Sequence, residues 1–262
     1  PVPVVHQTAV TDSLGGAGNV ARNIKSLGHS VMLMGFIGDD EAGKSVAALA
    51  FEAGITVCLP YWERPTIVKH RVTCDGQIVV RIDTEDRRHI EAPALPIVNG
   101  LGTVTPVAWP SIKVIVIADY AKGTMSREVM NAVRHYANAY GIPIFVDARP
   151  STMDLYQQVS LLKPNLREAM AMLADVVHPG LSESYSSDVR CQTACAELRK
   201  KYQAGLVVVT DGPRGCHYTE PDDGGMIHVC EPPHRDGDVS DVCGAGDTVM
   251  AGLVAGFMEG KP

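Results

Sequence analysis

Short runs rich in β-formers alternate with helix-patterned stretches along most of the chain, with glycine or proline punctuating the changes. Residues 31–37, 113–118, 142–146 and 206–210 are near-continuous apolar runs and read as buried strands. Helical patterns over 42–53, 126–139, 166–174 and 188–202 lie among them, and 158–162 leads into Lys163-Pro164-Asn165 before the third. A strand apolar on both sides needs a layer on each face, and strands joined through helices run parallel. The expectation is an α/β fold: a doubly wound, mostly parallel sheet flanked by helices.

Two segments break the alternation. Residues 1–10 are extended and proline-bearing, and 58–83 alternates in the manner of Val68-Lys69-His70-Arg71-Val72 and Ile78-Val79-Val80-Arg81-Ile82. They predict a small β lid, about 1–14 and 57–85, of the kind that closes over a ligand or meets a second copy. Asp222-Asp223-Gly224-Gly225 predicts a hairpin tip between two late strands. At 262 residues the chain suffices for one domain with such an appendage.

Composition excludes several partners. The formal net charge is −7 with no dense basic run, which argues against nucleic acid and anionic membranes. The longest apolar runs, such as 114–118 and 249–258, are too short to span a bilayer, and no charged-then-apolar leader opens the chain. Seven cysteines lack CxxC spacing, as expected of a reduced, cytoplasmic protein. Cys191 and Cys195 lie four apart on a predicted helix; they read as buried thiols or as half of a zinc site.

Three glycine-rich segments compete as anion sites. Gly38-Asp39-Asp40-Glu41-Ala42-Gly43-Lys44-Ser45 satisfies the P-loop pattern, with Lys44 in the phosphate position. Three consecutive carboxylates would repel a phosphate there, so a turn capped by Asp39, with acids in the first helical turn, is preferred. Gly16-Ala17-Gly18-Asn19-Val20-Ala21 resembles a dinucleotide fingerprint, but no convincing strand precedes it. Glycines before a helix also let a sugar ring approach the backbone, with Asn19 bonding its hydroxyls.

The third segment is Asp241-Val242-Cys243-Gly244-Ala245-Gly246-Asp247, followed by an apolar run. The amides of Gly244, Ala245 and Gly246 at a helix start, with the positive end of its dipole, suit an anion. Asp247 beside them suits proton removal from a hydroxyl, so the pair fits phosphate transfer to an alcohol. A helix cap with glycines before it is the structural alternative. Asn165 and Glu168 stand one helical turn apart at a strand end, where they either hold a hydrated Mg²⁺ or form a capping box. Thr210-Asp211-Gly212-Pro213-Arg214-Gly215 follows the next strand and offers either a nucleotide rest or a tight turn.

In this order, Gly15-Gly16-Ala17-Gly18-Asn19, Gly38-Asp39 with Gly43, Asn165-Leu166-Arg167-Glu168, Thr210-Asp211-Gly212 with Gly215, and Asp241 through Asp247 resemble the ribokinase-like (PfkB) sugar kinases over nearly the whole chain. Pro1-Val2-Pro3-Val4-Val5, Thr66-Ile67-Val68-Lys69 with Arg71, Arg81-Ile82-Asp83 and Asp119-Tyr120-Ala121-Lys122-Gly123 are similar to the branch acting on D-glycero-β-D-manno-heptose 7-phosphate. That branch makes the 1,7-bisphosphate used for lipopolysaccharide core precursors. The resemblance implies ATP and Mg²⁺, with Asp247 as the base and Gly244, Ala245 and Gly246 as the anion hole. It implies nucleotide contacts from Asn165, Leu166, Arg167, Glu168, Thr210, Gly212, Gly215 and Asp241, and water-mediated metal binding by Asn165 and Glu168. It implies sugar contacts from Gly15, Gly16 and Asn19. Lys69, Arg81 and Lys122 are candidates for the substrate's existing phosphate, each equally readable as a solvated surface charge. By analogy, the lid strands imply a homodimer.

The sequence departs from the family pattern in places. Cys243 stands where Ser or Thr is usual, and the turn is expected to survive it. The family's first core strand and the region finishing its adenine pocket and monovalent-cation site are not found. The expectation is a single domain cut at both ends, unstable or inactive alone, with an adenylyltransferase domain following in some relatives. Rival readings are a PfkB kinase of ribose, fructose or a nucleoside; a P-loop NTPase using Lys44; and a non-catalytic sugar-binding regulator, which would have no need of Asp247 as a base.

Overall fold

The computed structural model describes residues 4, 6–74, 77–88, 109–222, 225–231 and 244–261. The chain divides into two compact units, 1–85 and 86–262.

The first unit is an arrangement of short paired strands and two helices. Helix α1 (Ala17–Ser26) buries Val20, Ala21 and Ile24, one apolar stripe at helical spacing. Strands β1 (Met32–Met34) and β2 (Ile37–Gly38) precede helix α2 (Glu41–Glu52), and β3 (Thr56–Cys58) and β4 (Tyr61–Trp62) follow it. β1 pairs parallel with β3, and β2 pairs parallel with β4. Leu14, Ala21, Leu33, Ala50 and Ile55 form the core beneath them. The expected strand over 31–37 is therefore two strands. The ladder passes through Gly35 N–H to the Cys58 carbonyl at 3.3 Å and Ile37 N–H to the Pro60 carbonyl at 3.3 Å, between which the chain changes partner strand. β5 (Val68–Cys74) and β6 (Gln77–Thr84) form the antiparallel ribbon that the alternation predicted, with a register shift between Val72 and Thr73. Val4 and residues 6–10 join no strand.

The false P-loop has a structural explanation. Asp40, not Asp39, caps α2: its Oδ1 accepts from Gly43 N–H at 2.7 Å and from Thr66 Oγ1 at 2.6 Å, and its Oδ2 accepts from Thr66 N–H at 2.8 Å. Gly38 N–H donates to Thr66 Oγ1 at 2.8 Å. Amides that a P-loop would turn toward phosphate are thus committed within the protein. A Cβ on Gly43 would sit 2.3 Å from the Gly38 carbonyl, which explains the second glycine. Burial opposes ionisation of Asp40, but the bonds from Thr66 and Gly43 win and hold its carboxyl below the usual range. Its stabilisation is therefore full above the unfolded-state value and lost as pH falls through the folded one. Asp40→Ala is expected to cost about 2 kcal/mol, the upper end for a cap, because the Thr66 bonds go as well. Asp39→Ala should change stability by less than about 0.5 kcal/mol. Chemical denaturation of the two variants checks the assignment; equal losses would refute it.

The second unit is built on a six-stranded sheet. In chain order its strands are β7 (Ile115–Asp119), β8 (Ile144–Ala148), β9 (Leu161–Leu162), β10 (Leu206–Thr210), β11 (Cys216–Asp222) and β12 (Gly225–Glu231). They lie side by side in that order, parallel from β7 to β10 and antiparallel from β10 to β12. Val207, Val208 and Val209 are consecutively buried, so both faces of β10 are covered. Helix α3 (Arg127–Tyr140) starts at a Ser126 cap bonding Val129 N–H and ends at left-handed Gly141. α4 (Leu166–Met172), α5 (Ser187–Tyr202) and α6 (Ala245–Met258) complete the unit. The expected hairpin places Asp222 opposite Gly225; its tip residues lie outside the described set.

Candidate active site

Parallel strands β7 to β10 end at one edge of the sheet, where open α/β folds bind ligands. Asp119 closes β7, Asp147 lies near the end of β8, Lys163 follows β9, and Thr210 closes β10. Helix α6 adds its first turn.

Asp247 is the third residue of α6 and only 6% exposed. Gly244, at φ 83°, makes the left-handed entry to the helix, a conformation glycine adopts without Cβ strain. The amides of Ala245 and Gly246 lack intrahelical acceptors by position and carry the helix's positive end. Tyr120 Oη donates to Asp247 Oδ1 at 2.6 Å, fixing how the carboxylate points. Burial, and then the Asp247 carboxylate, push the Tyr120 phenol well above its ordinary range. It therefore stays protonated, a permanent donor. Tyr120 is itself placed by Asp119, whose Oδ1 accepts from Ala121 N–H at 2.8 Å and whose Oδ2 accepts from Tyr156 Oη at 2.7 Å. Ala121 takes φ 56° in that turn, a left-handed conformation rare for a residue with a Cβ.

A buried ion pair lies beside the glycine turn. Lys163 Nζ is 2.8 Å from Asp147 Oδ2, with the lysine side chain only 3% exposed. A Cβ built on Gly246 would stand 3.4 Å from Lys163 Nζ and 4.0 Å from Asp147 Oδ2, so an ammonium group borders the turn. Burial raises the Asp147 carboxyl above its usual range; Lys163 opposes this, while Glu168 and Asp247 reinforce it. Arg149 pairs with Glu168 and lies over the Tyr120 ring, 4.9 Å from its centroid.

Asn165 and Glu168 do form the capping box: Asn165 Oδ1 accepts from Glu168 N–H at 2.9 Å and Glu168 Oε2 accepts from Asn165 N–H at 3.0 Å. Each of these oxygens keeps a further lone pair, so the cap is compatible with holding the waters of a hydrated metal ion rather than the ion itself. Leu166 and Arg167 occupy the same first turn of α4. Asn165 bridges Thr210, whose N–H donates to the Pro164 carbonyl at 3.0 Å, so the two expected nucleotide segments are neighbours. Gly212 (φ 56°) and Gly215 (φ 93°) turn the chain from β10 to β11, and Arg214 makes a two-point contact with Asp211 at 2.6 and 2.8 Å. Lys122 is half-buried in the loop after β7. Asp241 lies outside the described residues.

In the first unit, Gly15 and Gly16 precede α1, with Gly16 at φ 52°, and Asn19 Oδ1 accepts from Arg22 at 3.0 Å. Lys69 and Arg81 meet on one carboxylate, Asp83, at 3.2 and 3.0 Å.

Sequence reasoning missed Tyr120, Asp147, Arg149 and Lys163. Tyr120 lies two residues before Lys122 in Asp119-Tyr120-Ala121-Lys122-Gly123, and Lys163 directly precedes Pro164-Asn165.

The pfkB family carbohydrate kinase pattern matches residues 1–262, the entire chain. The chain belongs to the pfkB family of carbohydrate kinases. Its pfkB-family relatives include the bifunctional protein HldE of Azorhizobium caulinodans, 36% identical over 264 residues covering 100% of this chain and 52% of that protein. The HldE of Pseudomonas fluorescens is 35% identical over 262 residues, again covering 100% of this chain and 51% of the relative. The chain thus spans about half the length of the curated relatives it matches. Phosphofructokinase-2 from Escherichia coli, solved with fructose-6-phosphate, superposes at TM-score 0.72 with 21% identity, covering 100% of this chain and 81% of that one. The fold is therefore ribokinase-like, and the sheet is mixed, its antiparallel strands added at one edge. Among the described residues no helix is long and apolar enough to cross a membrane.

Proposed function

We propose that this chain transfers the γ-phosphoryl group of ATP to the anomeric hydroxyl of D-glycero-β-D-manno-heptose 7-phosphate, giving the 1,7-bisphosphate. The observation that carries this reading is the buried Asp247 carboxylate in the first turn of α6, aimed by Tyr120 and bordered by the Lys163 ammonium. The acceptor oxygen bonds to the γ-phosphorus, the bond to the bridging oxygen breaks, and ADP departs with that electron pair. The hydroxyl proton passes to Asp247. The amides of Gly244, Ala245 and Gly246, with Lys163, meet the charge spread over the moving phosphoryl oxygens. A divalent ion, for which Mg²⁺ is the choice, would supply charge neutralisation of the triphosphate. Asn165 and Glu168 would hold its waters, and Thr210, Gly212 and Gly215 would line the nucleotide's path.

The substrate assignment rests on the likeness of the whole of this chain to about half of each HldE protein, together with the resemblance of 66–71, 81–83 and 119–123 to the heptose-kinase branch. In this reading Gly15, Gly16 and Asn19 hold the sugar, and Lys69, Arg81 and Lys122 are each separately candidates for its 7-phosphate. Asp83 already neutralises part of the Lys69–Arg81 charge, so that pair would have to re-partner on binding. The β5–β6 ribbon exposes Ile78, Val79, Val80 and Ile82, apolar surface suited to closure over a ligand or to a second copy. An adenylyltransferase domain in the intact protein would be in keeping with the relatives' length and their designation as bifunctional. A structural neighbour, phosphofructokinase-2 from Escherichia coli, is known in complex with potassium, in keeping with a monovalent-cation site in the intact protein.

Steady-state turnover of the intact protein on a sugar panel tests the assignment. Heptose 7-phosphate is expected to exceed ribose and fructose by about 100-fold or more in kcat/KM, since a sugar without a phosphate forfeits the charged contacts that a phosphate-accepting site makes. A preference for an unphosphorylated sugar would overturn the substrate while leaving the kinase chemistry intact.

A further inference from the structure

Away from the reaction site, an imidazole, a thiol and a carboxylate converge on one face of the antiparallel edge of the sheet. His217 on β11 and Cys230 on β12 are directly opposed partners in the ladder. Helix α5 crosses this region and brings Asp188, in its first turn, to the same place. The three ligand atoms lie within 4.8 Å of one another. His217 Nε2 stands 3.7 Å from Asp188 Oδ1 and 3.9 Å from Cys230 Sγ.

Those separations can be compared with what a metal ion demands. Tetrahedral zinc with ligands at about 2.0 Å for nitrogen or oxygen and about 2.3 Å for sulfur places nitrogen and oxygen about 3.3 Å apart, and nitrogen and sulfur about 3.5 Å apart. The two contacts of His217 each need to close by only about 0.4 Å, within the reach of small side-chain rotations. Fixed and mobile members are combined suitably. His217 is fully buried and held by the sheet, whereas the Asp188 side chain is 70% exposed and Cys230 is exposed, so an ion has a route from solvent.

A second group around the same imidazole, Cys191, Asp211 and His217, is also within 4.8 Å. It is the weaker ligand set, because Asp211 already gives both oxygens to Arg214. The helical pair Cys191 and Cys195 does not form a site: Cys195 Sγ donates to the His217 carbonyl at 3.3 Å, and burial pushes both thiols up, to about 12.

We propose that this protein binds one zinc ion through His217, Cys230 and Asp188, with a water in the fourth position. A mixed nitrogen, sulfur and oxygen set selects a borderline-soft ion over Mg²⁺ or Ca²⁺. Binding expels the Cys230 thiol proton to solvent and leaves a thiolate–metal bond, with no change of oxidation state. The ion joins the start of α5 to β11 and to the edge strand β12, immediately after the turn at Gly212 and Gly215 that leads into β11. It is separate from the magnesium of the kinase reaction and does not depend on which sugar is phosphorylated.

Cobalt(II) titration of the reduced, intact protein tests this. One equivalent should produce the near-ultraviolet thiolate-to-cobalt absorption and the visible bands of a four-coordinate ion, both abolished by zinc. Cys230→Ser should remove the thiolate absorption, and Asp188→Ala should weaken cobalt affinity by about tenfold or more. Added zinc should raise the melting temperature of the unaltered protein and not that of Cys230→Ser. Absence of saturable binding overturns the proposal, as does a thiolate absorption that persists unchanged in Cys230→Ser. Should Cys230→Ser fail to fold, Asp188→Ala, at an exposed helical position, decides: unchanged affinity overturns the site and lost affinity supports it.

Discussion

Asp247→Asn is expected to lower kcat by about 10³-fold or more, the range lost when a positioned base is removed from a proton transfer. The amide keeps the shape of the carboxylate and still offers an oxygen to the Tyr120 hydroxyl, 2.6 Å away in the unaltered protein, so folding should survive. KM for ATP should move by less than about threefold, since removing a group that acts chiefly in the transition state leaves ground-state binding in place. Lys44→Ala belongs beside it. Lys44 is exposed and pairs with Glu41 at 2.6 Å on the surface of α2, and turnover should stay within about twofold of the unaltered protein. The reverse outcome, an inactive Lys44→Ala and an active Asp247→Asn, would restore the P-loop reading and remove α6 from the chemistry.

These two residues also mark what the chain disclosed before it was folded. Asp247 was legible because its setting is local: glycines, a helix start and an acid within four positions. The same holds for Asn165 and Glu168, whose capping box is a three-residue spacing, and for β10, whose buried valines are consecutive. Local patterns fail where tertiary partners decide. Tyr120 and Asp247 are 127 residues apart, and nothing in either neighbourhood announces the other. The sequence reading places the cap at Asp39; Thr66, 26 residues beyond Asp40, selects Asp40 instead. The run 31–37 is uniformly apolar, and its division into β1 and β2 is fixed by β3 and β4 on the far side of α2. Lys163 carries no local signal, because only packing leaves its ammonium group almost no solvent.

That burial makes Lys163→Met the most informative second variant, because it separates support from chemistry. Removing one member of a buried pair strands the other, at a cost of about 3 kcal/mol or more, and the stranded group here is Asp147. Burial already raises its folded-state pKa, and losing Lys163 removes the opposing influence. A carboxyl raised on folding keeps a proton that the unfolded chain has released. Stability of Lys163→Met should therefore fall as pH rises from the unfolded value through the folded one, more steeply than in the unaltered protein. Turnover should fall by about 100-fold or more, since the ammonium beside Gly246 is a preorganised partner for the transferred phosphoryl group. The double change Lys163→Met with Asp147→Asn distinguishes the two effects. Neutralising the stranded carboxylate should recover most of the lost stability and flatten the pH dependence, while kcat stays low. If kcat recovers together with stability, Lys163 only supports the fold, and the charge on the moving phosphorus centre must be met by the helix amides and the metal without it.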